Sequence, residues 1–156
     1  MNAIFLDVDG VLNSINKFKE VYYKTKKAHS GYNYPFDENA LENLKEIVIK
    51  TNSKIIITST WRKNRLGKMI LLKKLKEYGI DDKVIGYTDV INDNREVEIK
   101  EYLRRNPNIK NFIIIDDSSK LVDLIDRLVK IDINVGLTKE NKEEAIKKLE
   151  KRIFNE

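Results

Sequence analysis

The chain has 156 residues, 41% hydrophobic and 35% charged, which suffices for one domain over 1–156 with a real core and leaves too little for two. It contains no cysteine, so disulfides, thiolate metal sites and cysteine nucleophiles are excluded; oxygen ligands remain, with a lone His29 to which no chemistry is assigned. Thirty Lys and Arg against 25 Asp and Glu give a net charge of +5, a modest excess that says little about partners by itself. No apolar run approaches the roughly 20 residues that span a bilayer, and Asp7 comes too early for a signal peptide, so a cytoplasmic protein without membrane contact is expected.

The first apolar segment, 3–6, reads as a β-strand leading into Asp7-Val8-Asp9-Gly10-Val11-Leu12-Asn13. Alternate residues of an extended strand point the same way, and a chain that curls at Gly10 offsets the two acids around a shared site. Two carboxylates about 4 Å apart at an effective dielectric near 20 repel by roughly 4 kcal/mol, which calls for a cation or a shared proton. Oxygen-only ligands favour magnesium over zinc. The ordinary alternative is a turn in which both acids cap backbone amides. Residues 14–36 follow, rich in Lys and Tyr and without a clean period. They are a candidate lid or substrate loop, or else a surface excursion. Phe18, Tyr22, Tyr23, Tyr32 and Tyr34, set among lysines, suit either base stacking or ordinary packing.

Leu41, Leu44, Val48 and Ile49 recur at helical spacing, and 54–57, with three consecutive isoleucines, reads as a buried strand. It opens onto Thr58-Ser59-Thr60-Trp61-Arg62, whose hydroxyls and amides can hold phosphate oxygens at the start of the following helix; Trp61 is expected as a packing anchor. Leu66, Ile70 and Leu75 predict that helix, with Gly79 as its stop, and Val84–Tyr87 predicts a third strand. After Asn92-Asp93-Asn94, Arg95 opens a helical pattern through Ile99 and Leu103 and can turn a cation toward a crevice. Lys100 is the fallback, and a surface role is the ordinary expectation for either. The uniformly apolar 112–115 ends at a second acidic pair, Asp116-Asp117. Leu121, Val122, Leu124, Ile125, Leu128 and Val129 form a broad stripe that predicts a helix. A fifth strand is predicted at 133–135, and a last helix at 139–154 with Ala145, Ile146, Leu149 and Ile153 inward.

Strands alternating with helices predict an α/β fold: a mainly parallel five-stranded sheet with helices on both faces, its second and fourth strands near the middle. The carboxyl ends of the strands of such a sheet open onto the ligand crevice, which would gather both acidic pairs and the 58–62 segment. With those four acids on a metal, 30 cations face 21 remaining acids, or +9, which suits a phosphate-rich substrate or a merely solvated surface.

In their order along 3–118, Asp7-Val8-Asp9-Gly10-Val11-Leu12, Thr58-Ser59, Arg95 and Asp116-Asp117 resemble the four motifs of haloacid dehalogenase (HAD) superfamily phosphatases. Ser59-Thr60-Trp61-Arg62, Arg95-Glu96-Val97-Glu98-Ile99 and Ile115-Asp116-Asp117 further resemble small, nearly capless members associated with RNA repair. The resemblance implies a Rossmann-like HAD fold with a minimal cap and a Mg2+-dependent phosphoric monoester hydrolase working through an aspartyl-phosphate. It implies Asp7 as nucleophile and Asp9 as general acid and base. Magnesium would be held by Asp7, the Asp9 backbone carbonyl and Asp116 or Asp117, and phosphate by Thr58 or Ser59 and by Arg95. Asp9 suits an oxygen leaving group rather than a halide. Neither insertion point has room for a large cap, so an open crevice and a bulky substrate are expected: a nucleic-acid end or nucleotide phosphate first, a small-metabolite phosphate or a non-catalytic nucleic-acid or protein binder as alternatives.

Overall fold

Three apolar runs account for the centre of the sheet in the computed structural model, which describes residues 1–118 and 120–150. Strand β1 (Asn2–Leu6) lies in the middle, flanked in parallel by β2 (Ser53–Ile57) and β4 (Asn111–Asp116), with β3 (Val84–Tyr87) and β5 (Leu128–Lys130) at the edges. Among the described residues the order is therefore β3-β2-β1-β4-β5, every pairing is parallel, and Leu6 is in register with both Ile57 and Ile115. This is a Rossmann-like α/β architecture.

Strand alternation sorts the same runs into two cores. Ile4, Leu6, Ile55, Ile57, Ile113 and Ile115 share one cluster with α2 (Glu38–Thr51), α3 (Arg65–Glu77) and α5 (Lys139–Glu150), which supply Leu41, Leu44, Leu71, Leu75, Ala145 and Leu149. Ala3, Phe5, Ile56, Phe112 and Ile114 face the other way, against Ile99 of α4 (Arg95–Arg105). Burial on both sides is why these strands carry no polar alternation. The inward Ala145, Ile146 and Leu149 expected of the last helix are in place, Ile146 half-buried, whereas Ile153 lies outside the described residues.

Three stretches differ from the sequence expectation. Residues 14–36, read as lacking a period, contain α1 (Ile15–Thr25) and a 3-10 turn, Gly31–Asn33. Ser14 caps α1 by accepting the Lys17 N–H at 3.0 Å, and Lys26 ends it at φ 59°. Its Ile15, Phe18 and Val21 recur at helical spacing but are only half-buried, and no residue of α1 is fully buried.

The stripe at 121–129 is not an α-helix, holding instead the 3-10 turn Ile125–Arg127, and 133–135 is not a strand. Leu128 and Val129 pair with Ile114 and Ile115 as β5, while the N–H groups of Val122 and Leu124 go to the Glu96 carboxylate at 2.8 and 2.9 Å in place of helical carbonyls. Residues 133–135 form a turn: Asp132 accepts the Asn134 N–H at 2.9 Å, and Gly136 closes it at φ 74°. The carbonyls of Ile133 and Asn134 accept the first N–H groups of α1. No helix among the described residues is long and apolar enough to cross a membrane.

Candidate active site

Parallel strands deliver their following residues to one rim. The ladder continues past the strands, with Asp7 N–H donating to Ile115 O at 3.0 Å and Thr58 N–H to Leu6 O at 2.9 Å, so Asp7, Thr58 and Asp116 emerge side by side. One carboxylate oxygen from each of Asp7, Asp116 and Asp117 lies within 4.8 Å of the others. Burial and the charge of Asp116 push the Asp7 carboxyl up to about 8, against the pull of Arg95 and of the Val8 N–H, which donates to Asp7 Oδ1 at 2.9 Å. Burial likewise raises Asp116, again against Arg95.

Arg95 is the first residue of α4, whose Asn94 cap accepts the Val97 N–H at 3.1 Å. Its Nη1 donates to Asp116 Oδ2 at 2.6 Å and to Thr58 Oγ1 at 2.9 Å, and lies 3.8 Å from Asp7 Oδ1. Lys100, one turn on, points elsewhere and pairs with Asp123 on the surface. Of the two hydroxyls considered, Thr58 faces the acids, while Ser59 Oγ accepts the Trp61 N–H at 3.2 Å and so caps the 3-10 turn Thr60–Lys63.

The side chain of Asp9 does not join the acidic cluster. The chain reverses at Gly10, φ 82°, where a Cβ would come within 2.7 Å of Ile133 Cγ2, and exposed Asp9 is turned toward a cavity of about 550 Å³. Asp9 Oδ1 accepts Trp61 Nε1–H at 3.0 Å and Asn13 Nδ2–H at 3.1 Å. Tyr32, Tyr34 and Ile133 line the same cavity, and burial together with the charge of Asp9 raises the Tyr34 phenol above its ordinary range. His29 lies outside that lining.

Two further residues shape the site and were not singled out for chemistry in the sequence. Trp61 is a packing anchor, as expected, and also a donor to Asp9. Arg62 is buried and donates to the carbonyls of Thr58, Ser59 and Thr88 at 2.7, 3.0 and 2.8 Å while pairing with Glu98 at 3.0 Å, which ties the loops after β2 and β3 to α4. The only hint in the sequence was that Arg62 follows Trp61 in the segment that leaves a strand end.

Three convergent carboxylates offering only oxygen, with Asp7 and Asp116 buried enough to oppose their own ionisation, fit a hard divalent cation such as Mg2+. A family described as the HAD domain in Swiss Army Knife RNA repair proteins matches residues 3–142. No curated protein and no solved structure matches the chain.

Proposed function

The chain belongs to the family of HAD domains in Swiss Army Knife RNA repair proteins, and from that premise we propose that it is a Mg2+-dependent phosphomonoester hydrolase whose lead substrate is a phosphorylated nucleic-acid end or nucleotide. The observation that carries this reading is the separation of acids: Asp7 sits within the buried cluster with Asp116 and Asp117, while Asp9, two residues on, faces a cavity from outside it. One carboxylate is thus available to attack phosphorus and another to manage the leaving group.

Asp7 attacks phosphorus, the bond to the leaving oxygen breaks, and Asp9 delivers its proton to that oxygen. Asp9 then accepts a proton from the water that attacks the aspartyl-phosphate, which releases inorganic phosphate and restores both acids. Arg95 and the Thr58 hydroxyl, already hydrogen-bonded to each other, steady the phosphoryl oxygens. Held by Asp7, Asp116 and Asp117, Mg2+ would keep Asp7 anionic and draw charge from the phosphoryl group.

The substrate class is supported by what adjoins the cavity. Ser14 and Ile15, at the start of α1, line it, and along α1 and just beyond it Lys19, Lys24, Lys26 and Lys27 are exposed beside Tyr22 and Tyr23, which are 43% and 67% exposed. Exposed rings among cations suit a nucleotide chain continuing past the reacting phosphate. The cavity volume also favours a second reading, a small-metabolite phosphate whose leaving group fits inside.

A panel of phosphomonoesters with Mg2+, including oligonucleotides bearing terminal phosphates, tests both readings. Mg2+-dependent turnover lost in Asp7→Asn is the expected result, with oligonucleotides preferred. Unchanged turnover in Asp7→Asn would remove the covalent mechanism, and salt-sensitive oligonucleotide binding with no turnover would make the chain a binder.

A further inference from the structure

We propose that Trp61, seconded by Asn13, is a positioning residue for Asp9 that fixes the carboxylate's rotation and decides which of its oxygens carries the proton. The proposal rests on the reading of Asp9 as general acid and base.

Trp61 is 3% exposed, and its ring is set edge-on against Tyr32 at 4.9 Å and Phe36 at 5.7 Å. A buried indole N–H requires an acceptor, and its acceptor is Asp9 Oδ1. Asn13 is also buried, at 2%, and its orientation is determined: its Oδ1 accepts the Gly10 N–H at 2.8 Å, and a backbone N–H can only donate, so Nδ2 is the group that faces Asp9 Oδ1.

Two donors therefore converge on one oxygen of an exposed acid. A carboxylate torsion is broad and roughly two-fold, so without them either oxygen would present itself to substrate. With them, Oδ1 is saturated as an acceptor, and a proton there would have to displace one of the two N–H groups. The proton that Asp9 gives to the leaving oxygen, and later takes from water, resides on Oδ2. The buried ring is held between the edge-on contacts to Tyr32 and Phe36, which leave it little room to follow a moving carboxylate.

Trp61→Phe keeps an aromatic ring and deletes the N–H. The quantity to compare is kcat/KM, which ends at departure of the leaving group and is blind to the later hydrolysis. With Mg2+ present, it is measured on an alkyl phosphomonoester, whose leaving oxygen needs a proton, and on a nitrophenyl phosphate, whose leaving group departs as a stable anion. The expected result is a loss of about tenfold on the alkyl ester and of less than about twofold on the aryl ester, a fraction of the roughly hundredfold or more that general acids contribute. Equal losses on both esters, or none on either, would overturn the positioning role.

Asp9→Asn run alongside separates the two levels of the argument. If Asp9→Asn is selective against the alkyl ester and Trp61→Phe is not, the positioning role alone falls; if Asp9→Asn shows no selectivity, the acid role falls and takes the proposal with it. Should Trp61→Phe fail to fold, Asn13→Ala carries the same comparison, since its amide serves the same oxygen and the same two outcomes decide.

Discussion

Arg62 directs one guanidinium at the carbonyls of Thr58, Ser59 and Thr88 and at the carboxylate of Glu98, with both side chains 3% exposed. Glu98 also accepts the Ile91 N–H at 3.0 Å, so the pair holds the loop that precedes Arg95. A buried pair contributes little relative to an apolar replacement, but removing one partner leaves an uncompensated charge. Arg62→Ala should therefore lose about 3–5 kcal/mol in urea unfolding, with part recovered in Arg62→Ala/Glu98→Gln. Additive losses in that pair would show that the carbonyl contacts, not the ion pair, dominate. Neither residue was legible as a pair: they lie 36 positions apart, and nothing local to Arg62 names its partner. Asp7 and Asp116-Asp117 were legible because each ends a uniformly apolar run, so topology alone brings them to one rim. The donors on Asp9 were not, because a Trp after a strand reads as packing until its N–H is followed to an acceptor.

At the scale of elements, the central strands could be read because burial on both faces leaves an unmistakable apolar run. The last third could not. Leu121 to Val129 has enough apolar residues for a helical stripe, yet Val122 is 74% exposed, and the backbone amides that a helix would satisfy are taken by Glu96 from another element. Residues 133–135 suggested a strand where Asp132, Asn134 and Gly136 build a turn that receives α1. Helix α3 supplies a case where local propensity and tertiary contact oppose each other. Gly→Ala inside a helix ordinarily stabilises by about 1 kcal/mol, but at Gly67 the added methyl meets the Trp61 carbonyl and the Tyr32 ring. Gly67→Ala should instead cost about 1–3 kcal/mol through overpacking, and it should raise KM because Tyr32 lines the cavity. A rise in the thermal midpoint with KM unchanged would mean that this wall yields freely.

Over the whole molecule, a cationic surface surrounds a centre in which carboxylates oppose one another, and this sets how stability should depend on pH and metal. With the Asp7 carboxyl at about 8 in the folded protein and an ordinary value of 3.8 when unfolded, the folded state binds more protons than the unfolded chain between those limits. Its contribution to stability is complete below about pH 4 and is lost as pH rises through 8; the raised Asp116 acts in the same direction. Exposed acids held low by surface partners, such as Glu101 at about 2 beside Arg104 and Arg105 against an ordinary value of 4.5, act on stability at the acid edge of this window and not above about pH 5. Metal-free protein should therefore show a urea midpoint that falls steadily from pH 5 to pH 8.5. Because a divalent cation requires the ionised cluster, added Mg2+ should stabilise little at pH 5 and progressively more toward pH 8.5, so the two curves diverge with pH. In Asp117→Asn the divergence should shrink, since the cluster has lost one of its three carboxylate ligands. A metal-free midpoint that stays flat across this range would mean that Arg95, at 2.6 Å from Asp116 and 3.8 Å from Asp7, already keeps both acids ionised without a metal.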